Sequence, residues 1–153
     1  MKRFLNLFSK ENDNEQQKII DQYLMNGYQK IIEYNNNYLL INDQYKKFTM
    51  GEKIYKFEDL LSVEILENNE VIAQAHSENK IFKTDHYQNL SNKNRQICLR
   101  LELRLLFNSL IDSELKIPLI NKKMKKGSKQ YKKAYDIAQE YFLNFKFILN
   151  QKN

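Results

Sequence analysis

Ile97-Cys98-Leu99-Arg100-Leu101-Glu102-Leu103-Arg104-Leu105-Leu106-Phe107 is the stretch on which the fold turns. Leu99, Leu101, Leu103 and Leu105 recur at every second position, with Arg100, Glu102 and Arg104 between them. A strand places the two sets on opposite faces, whereas a helix would scatter the leucines around its circumference. The spacing predicts a strand over 97–107 with its leucines in a core. Its charged residues are expected on a solvated sheet face, ion-paired across strands.

Working outward, residues 61–67 alternate in part, and Asn68-Asn69 joins them to 71–76 as a hairpin. Residues 38–41 and 45–50 flank the tight loop Asn42-Asp43-Gln44, and Met50-Gly51-Glu52 is a second turn. Residues 77–94 are polar, with Ile81, Phe82 and Tyr87 as isolated apolar points. They read as a long loop, or as a loop around one short edge strand. Asp112-Ser113-Glu114 turns the chain into 115–120, where Pro118 argues for an edge position.

Helices flank these strands. Ile19, Ile20, Tyr23, Leu24, Tyr28, Ile31 and Ile32 are spaced by threes and fours, which predicts a helix over 13–34. Gly27 weakens it without breaking it, and Asn35-Asn36-Asn37 stops it. Before it, Phe4, Leu5, Leu7 and Phe8 mark a short amphipathic segment that docks on the domain or serves as a weak anchor. The helix's apolar stripe must pack somewhere, on the sheet or on a second copy, so a homodimer through the N-terminal helix is one expectation. Tyr131, Ala134, Tyr135, Ala138, Tyr141, Phe142, Phe145, Ile148 and Leu149 predict a long closing helix, with Ser128 as its N-cap. The fold class is α+β: a helix, about six or seven antiparallel strands, then a closing helix.

The counts exclude several chemistries. The 153 residues suit one domain. Gly27, Gly51 and Gly127 lie far apart, so neither a dinucleotide-binding turn nor a P-loop can be assembled. Cys98 is the sole cysteine, which excludes an intrachain disulfide and a zinc ribbon, and it reads as a small buried hydrophobe. His76 and His86 have no partners at metal-ligand spacing, so no metal and no cofactor is expected. Glu58/Asp59, Glu64/Glu67 and Asp112/Glu114 fall at strand ends and turns, without a sign of the pocket that acid–base chemistry needs. No apolar run is long enough for a transmembrane helix, and the lone thiol points to the cytoplasm.

The stretches Lys53-Ile-Tyr-Lys-Phe-Glu-Asp-Leu-Leu-Ser-Val-Glu-Ile-Leu-Glu67, residues 98–107, Lys116-Ile-Pro-Leu-Ile120 and Lys126-Gly-Ser-Lys-Gln-Tyr-Lys-Lys-Ala134 carry a resemblance. They are similar to small uncharacterised bacterial and phage proteins of the pleckstrin-homology-like (PH-like) kind. The resemblance covers residues 38–149. It implies an antiparallel barrel or sandwich capped by the C-terminal helix, with a PH-like domain over 37–150 and an N-terminal segment and helix over 1–36. It also implies a non-catalytic binding module that recognises a protein partner, such as a phage or mobile-element factor acting on a host protein, and not an enzyme.

Charge singles out one segment. Residues 1–90 hold 11 Lys+Arg and 14 Asp+Glu, while residues 91–153 hold 14 and 5, so a net of −3 meets a net of +9. Between Asn121 and Lys133 there are seven lysines and no acid. Lys122, Lys123, Lys125, Lys126 and Lys129, with Ser128, lie at the entrance of the closing helix, where lysines oppose the helix dipole. Free amides, the positive dipole end and ammonium groups together suit an anion. The alternative function is therefore binding of nucleic acid or another acidic surface through 122–133. Sequence-specific base reading has no support, because no helix-turn-helix or RNA-stacking signature is present.

Overall fold

A computed structural model describes residues 2–77 and 96–151, with side chains from Asn14 onward. Ile81, Phe82, His86 and Tyr87, and the side chains of Phe4, Leu5, Leu7 and Phe8, lie outside what is described. The chain divides into two compact units, Met1–Tyr55 and Lys56–Asn153. The strands over 38–50 thus group with the N-terminal helix.

In the first unit, helix α1 (Lys2–Met25) precedes four strands, β1 (Gln29–Tyr34), β2 (Asn37–Asn42), β3 (Lys47–Met50) and β4 (Lys53–Lys56), in a sheet of order β1-β2-β3-β4. The helix expected to continue to Tyr34 stops nine residues earlier. Gly27 takes φ +92°, a left-handed conformation in which a side chain is strained. The Tyr28 amide then donates to the Tyr23 carbonyl (3.1 Å) and the Gly27 amide to that of Leu24 (3.4 Å). These are the paired bonds of a Schellman end, and the accompanying apolar contact is the edge-on packing of the Tyr23 and Tyr28 rings, 5.1 Å apart.

Ile31 and Ile32, read above as helical, belong to β1. A register shift between Lys30 and Ile32 hides the alternation that would have marked the strand. Asn35 and Asn36, at φ 50° and 65°, make a hairpin turn where the sequence suggested only a stop. Ile20, Tyr28, Tyr38 and Leu40 form a buried cluster, with Ile19 and Tyr23 packed against it. That part of the helical stripe is therefore covered by its own sheet. Buried Asn42 ties the end of α1 to the following turn: its Nδ2 donates to the Asn26 carbonyl (3.3 Å), and its Oδ1 accepts from the Tyr45 amide (3.0 Å).

In the second unit a 3-10 turn (Phe57–Asp59) leads into β5 (Leu60–Glu67) and β6 (Glu70–His76). Then come β7 (Ile97–Cys98), β8 (Leu101–Phe107), β9 (Glu114–Ile120), β10 (Met124–Lys125) and helix α2 (Lys129–Asn150). The main sheet has order β6-β5-β8-β9, all antiparallel, and β7 pairs with β10 in a separate two-stranded ribbon. β9, with Pro118, is an edge strand as expected. Leu101, Leu103 and Leu105 are fully buried. Helix α2 packs on the sheet, and its buried residues include Ala134, Ala138, Tyr141, Phe145 and Ile148.

Two expectations are corrected. The described strands number ten and close into no barrel; they form three separate antiparallel sheets. The continuous strand over 97–107 is broken at Leu99-Arg100, and Leu99 is exposed. The cause is Asn68. At φ 52° it turns the β5–β6 hairpin, and its side chain reaches the break. Its Oδ1 accepts from the amides of Leu99 (2.7 Å) and Arg100 (3.2 Å), and its Nδ2 donates to the Ile97 carbonyl (3.2 Å).

Asn68→Gly keeps the left-handed backbone and removes only this clamp. It should lower stability by about 1–2 kcal/mol in urea denaturation. Asn69→Gly, which removes no such contact, should be neutral or slightly stabilising. Equal losses from the two would show that the clamp contributes nothing.

Candidate functional site

Helix α2 begins where the lysine-rich segment ends. Ser128 is its N-cap: the hydroxyl accepts from the Tyr131 amide (3.2 Å) and donates to the Lys125 carbonyl (2.8 Å). The Lys126 amide donates to the Gln96 carbonyl (2.9 Å), which extends the β7–β10 ribbon. The loop is therefore held to the ribbon and to the helix.

The strongest tie is a buried carboxylate. Glu67, at the end of β5, has a side chain 3% exposed. The Lys126 ammonium, on a side chain 16% exposed, lies 2.7 Å from its Oε1, and the Tyr131 hydroxyl donates to its Oε2 at 2.5 Å. Burial, then this hydrogen bond, raises the Tyr131 phenol above its ordinary range, so it stays a donor. Cys98 stands in the field of the same pair and is fully buried. Desolvation first, and the Glu67 charge second, push its thiol up from 9.0 to about 11.

The sequence-derived candidates thus separate by role. Lys126 and Ser128 are turned into the fold. Lys122 and Lys123, in the link from β9, and Lys125 on β10 are exposed. So are Lys129, Lys132 and Lys133, which share one face of the first turns of α2. These six have no ion pair among the described residues. Glu67 and Tyr131 were not legible as a pair, because they lie 64 positions apart and each has an ordinary local reading.

A second carboxylate lies in the main sheet. Glu64 is directly opposite both Gln74 and Arg104. Its Oε1 accepts from Arg104 Nε at 2.5 Å and its Oε2 from Gln74 at 2.7 Å. The cross-strand pairing matches expectation, but the face is not solvated: Ser62, Glu64 and Glu102 are all buried. Both Glu64 oxygens accept from donors on neighbouring strands, an arrangement that holds the strands together. In the first unit a depression of about 400 Å³ is lined by Ile19, Gln22, Tyr23, Asn26 and Glu52, and brings together no cluster of titratable groups.

Among the described residues no three His, Cys, Asp or Glu side chains are grouped to hold a metal ion. No helix among the described residues is long and apolar enough to cross a membrane. No family, no curated protein and no solved structure matches this chain.

Lys126→Met leaves Glu67 buried without its cation and should cost about 3–5 kcal/mol of stability, read by urea denaturation. Lys123→Met should stay within about 0.5 kcal/mol; similar effects of the two would refute the inward role of Lys126.

Cys98 holds its proton more tightly folded than unfolded, so stability should fall as pH climbs from 9.0 toward about 11. Cys98→Ala should flatten that decline. At pH 8 a disulfide reagent should leave the native thiol untouched and modify it at once in denaturant.

Proposed function

We propose that this protein is a non-catalytic binding module that holds a polyanion, the phosphate backbone of a nucleic acid, on the lysine face at the entrance of α2. The observation that carries the reading is the division of the segment. One lysine is spent on Glu67, and the other six stand exposed within twelve residues without an acid among them. Exposed cations on a fixed loop and helix face suit a backbone, which presents regularly spaced charge and asks for little shape.

The reading is one of affinity without base recognition. The cap at Ser128 uses the Tyr131 amide, so the contact rests on side-chain ammonium groups more than on a backbone cradle. Kinship with PH-like modules remains part of the proposal. It is supported by the order of antiparallel strands followed by a closing amphipathic helix. Recognition of a partner protein, the first expectation from the resemblance, is the second reading.

Binding of a non-specific DNA duplex should weaken steeply with salt. A slope of about −0.9 per phosphate contacted gives about −4 to −5 for four to six contacts. The variant Lys122→Ser/Lys123→Ser/Lys125→Ser/Lys129→Ser should flatten this slope and lose retention on heparin. Unchanged retention by a folded variant would overturn the proposal.

A further inference from the structure

The second unit carries opposite chemistry at its two ends. Strand β8 runs from Leu101, beside Glu67 and Ile120, to Phe107, beside Leu60, a span of about 20 Å at the usual strand rise. The Leu101 end adjoins the β7–β10 ribbon and the lysine segment. The Phe107 end leads into the β8–β9 hairpin tip.

That tip is built to hold its shape. The Ser109 hydroxyl accepts from the amides of Ile111 (3.3 Å) and Asp112 (3.2 Å). The Phe107 amide donates to the Ser113 carbonyl (2.9 Å), and the Asn108 amide to that of Asp59 (2.7 Å). On this fixed turn Leu110 and Ile111 are 105% and 92% exposed. A single exposed aliphatic residue needs no explanation, but two neighbours at full exposure make an apolar knob. Its flanks carry acidic side chains: Glu58, Asp112 and Glu114 are exposed, and Glu114 pairs with Lys116 at 3.7 Å.

The opposite end is the complement. Ile97 and Leu99 are 38% and 56% exposed, on the short segment that Asn68 holds out of the sheet. Around them stand Lys125, the cross-strand partner of Ile97, and Arg100, both exposed. One end thus sets its apolar residues among Glu58, Asp112 and Glu114, with Lys116 beside them, and the other beside Arg100 and Lys125, with exposed Glu70 at the start of β6.

We propose that the Leu110–Ile111 knob of one copy seats on the Ile97–Leu99 step of a second copy, its acidic rim against Arg100 and Lys125. The contact joins two different surfaces, so it is heterologous and propagates as a chain of copies unless the rotation closes a ring. The pre-formed turn spares the ordering cost that a loose loop would incur on binding. A lipid surface is a poorer occupant, because the acidic flanks repel anionic headgroups. This contact goes beyond the polyanion reading, which leaves the hairpin tip unused. Heparin retention, which reads the lysine face, should persist in Leu110→Ser/Ile111→Ser, which alters no charge.

Sedimentation velocity of the full chain from micromolar to millimolar concentration tests it, with circular dichroism as the check on folding. Wild type should gain mass with concentration at low salt and lose it at high salt. Leu110→Ser/Ile111→Ser should weaken association by about tenfold or more, since it removes the apolar part of the contact. Asp112→Lys/Glu114→Lys alone, and Arg100→Glu/Lys125→Glu alone, should both be monomeric, and mixing the two should restore association. A wild type that stays monomeric throughout overturns the proposal. So does association that ignores the tip substitutions, or a mixture that stays apart. Co-sedimentation of a monomeric wild type with phosphatidylcholine vesicles would assign the knob to a membrane and overturn it as well.

Discussion

A carboxylate at the end of β5 has been taken out of water and must be answered there, and much of the second unit follows from how that is done. Glu67 accepts a cation from the loop before α2 and a phenol from the first turn of that helix. An isolated buried charge is costly, so each partner that leaves is felt strongly. The pairing therefore fixes the loop, and the start of the helix, to the end of a strand some sixty residues earlier. The next residue, Asn68, turns the hairpin and gathers Ile97, Leu99 and Arg100. Two adjacent side chains thus bring together the β5–β6 turn, the β7–β8 break and the entrance of α2.

The same constraint shapes the surface. With Lys126 turned inward, the lysines on either side of it are directed out of a segment whose backbone is held by Ser128 and the β7–β10 ribbon. Basic charge is then presented on a held base, so that on the proposed reading a polyanion would meet it without the entropy cost of ordering a loop. Each oxygen of the two buried carboxylates has a partner, Glu67 in Lys126 and Tyr131, Glu64 in Arg104 and Gln74. They serve as ties between elements. The chemistry left for the outside is charge at one end of the main sheet, and an apolar, acid-flanked turn at the other.

Local patterns read directly from the sequence wherever one residue type has one conformational solution. The Asn68-Asn69 hairpin, Pro118 on an edge strand, the Ser128 cap and the long amphipathic closing helix all emerge in the structure as expected. So does the burial of Cys98. Failures occur where a pattern admits two solutions. Tyr28, Ile31 and Ile32 continue the helical spacing of Ile19 to Leu24, but Gly27 ends the helix and a bulge disguises the strand. Leu99 continues the alternation of Leu101 to Leu105, but Asn68 pulls its backbone aside.

By itself, then, the sequence determined the α+β class, the strand-rich centre and the position of a lysine-dense segment, because periodicity and capping act over a few residues. The tertiary structure alone decided which lysine turns inward, that the polar face of β5 and β8 is buried, and that the strands form open sheets. Those outcomes depend on partners such as Glu67 with Lys126 and Tyr131, or Glu64 with Arg104. Such groups lie tens of residues apart, and the desolvation of a charge becomes a constraint only once the chain has folded around it.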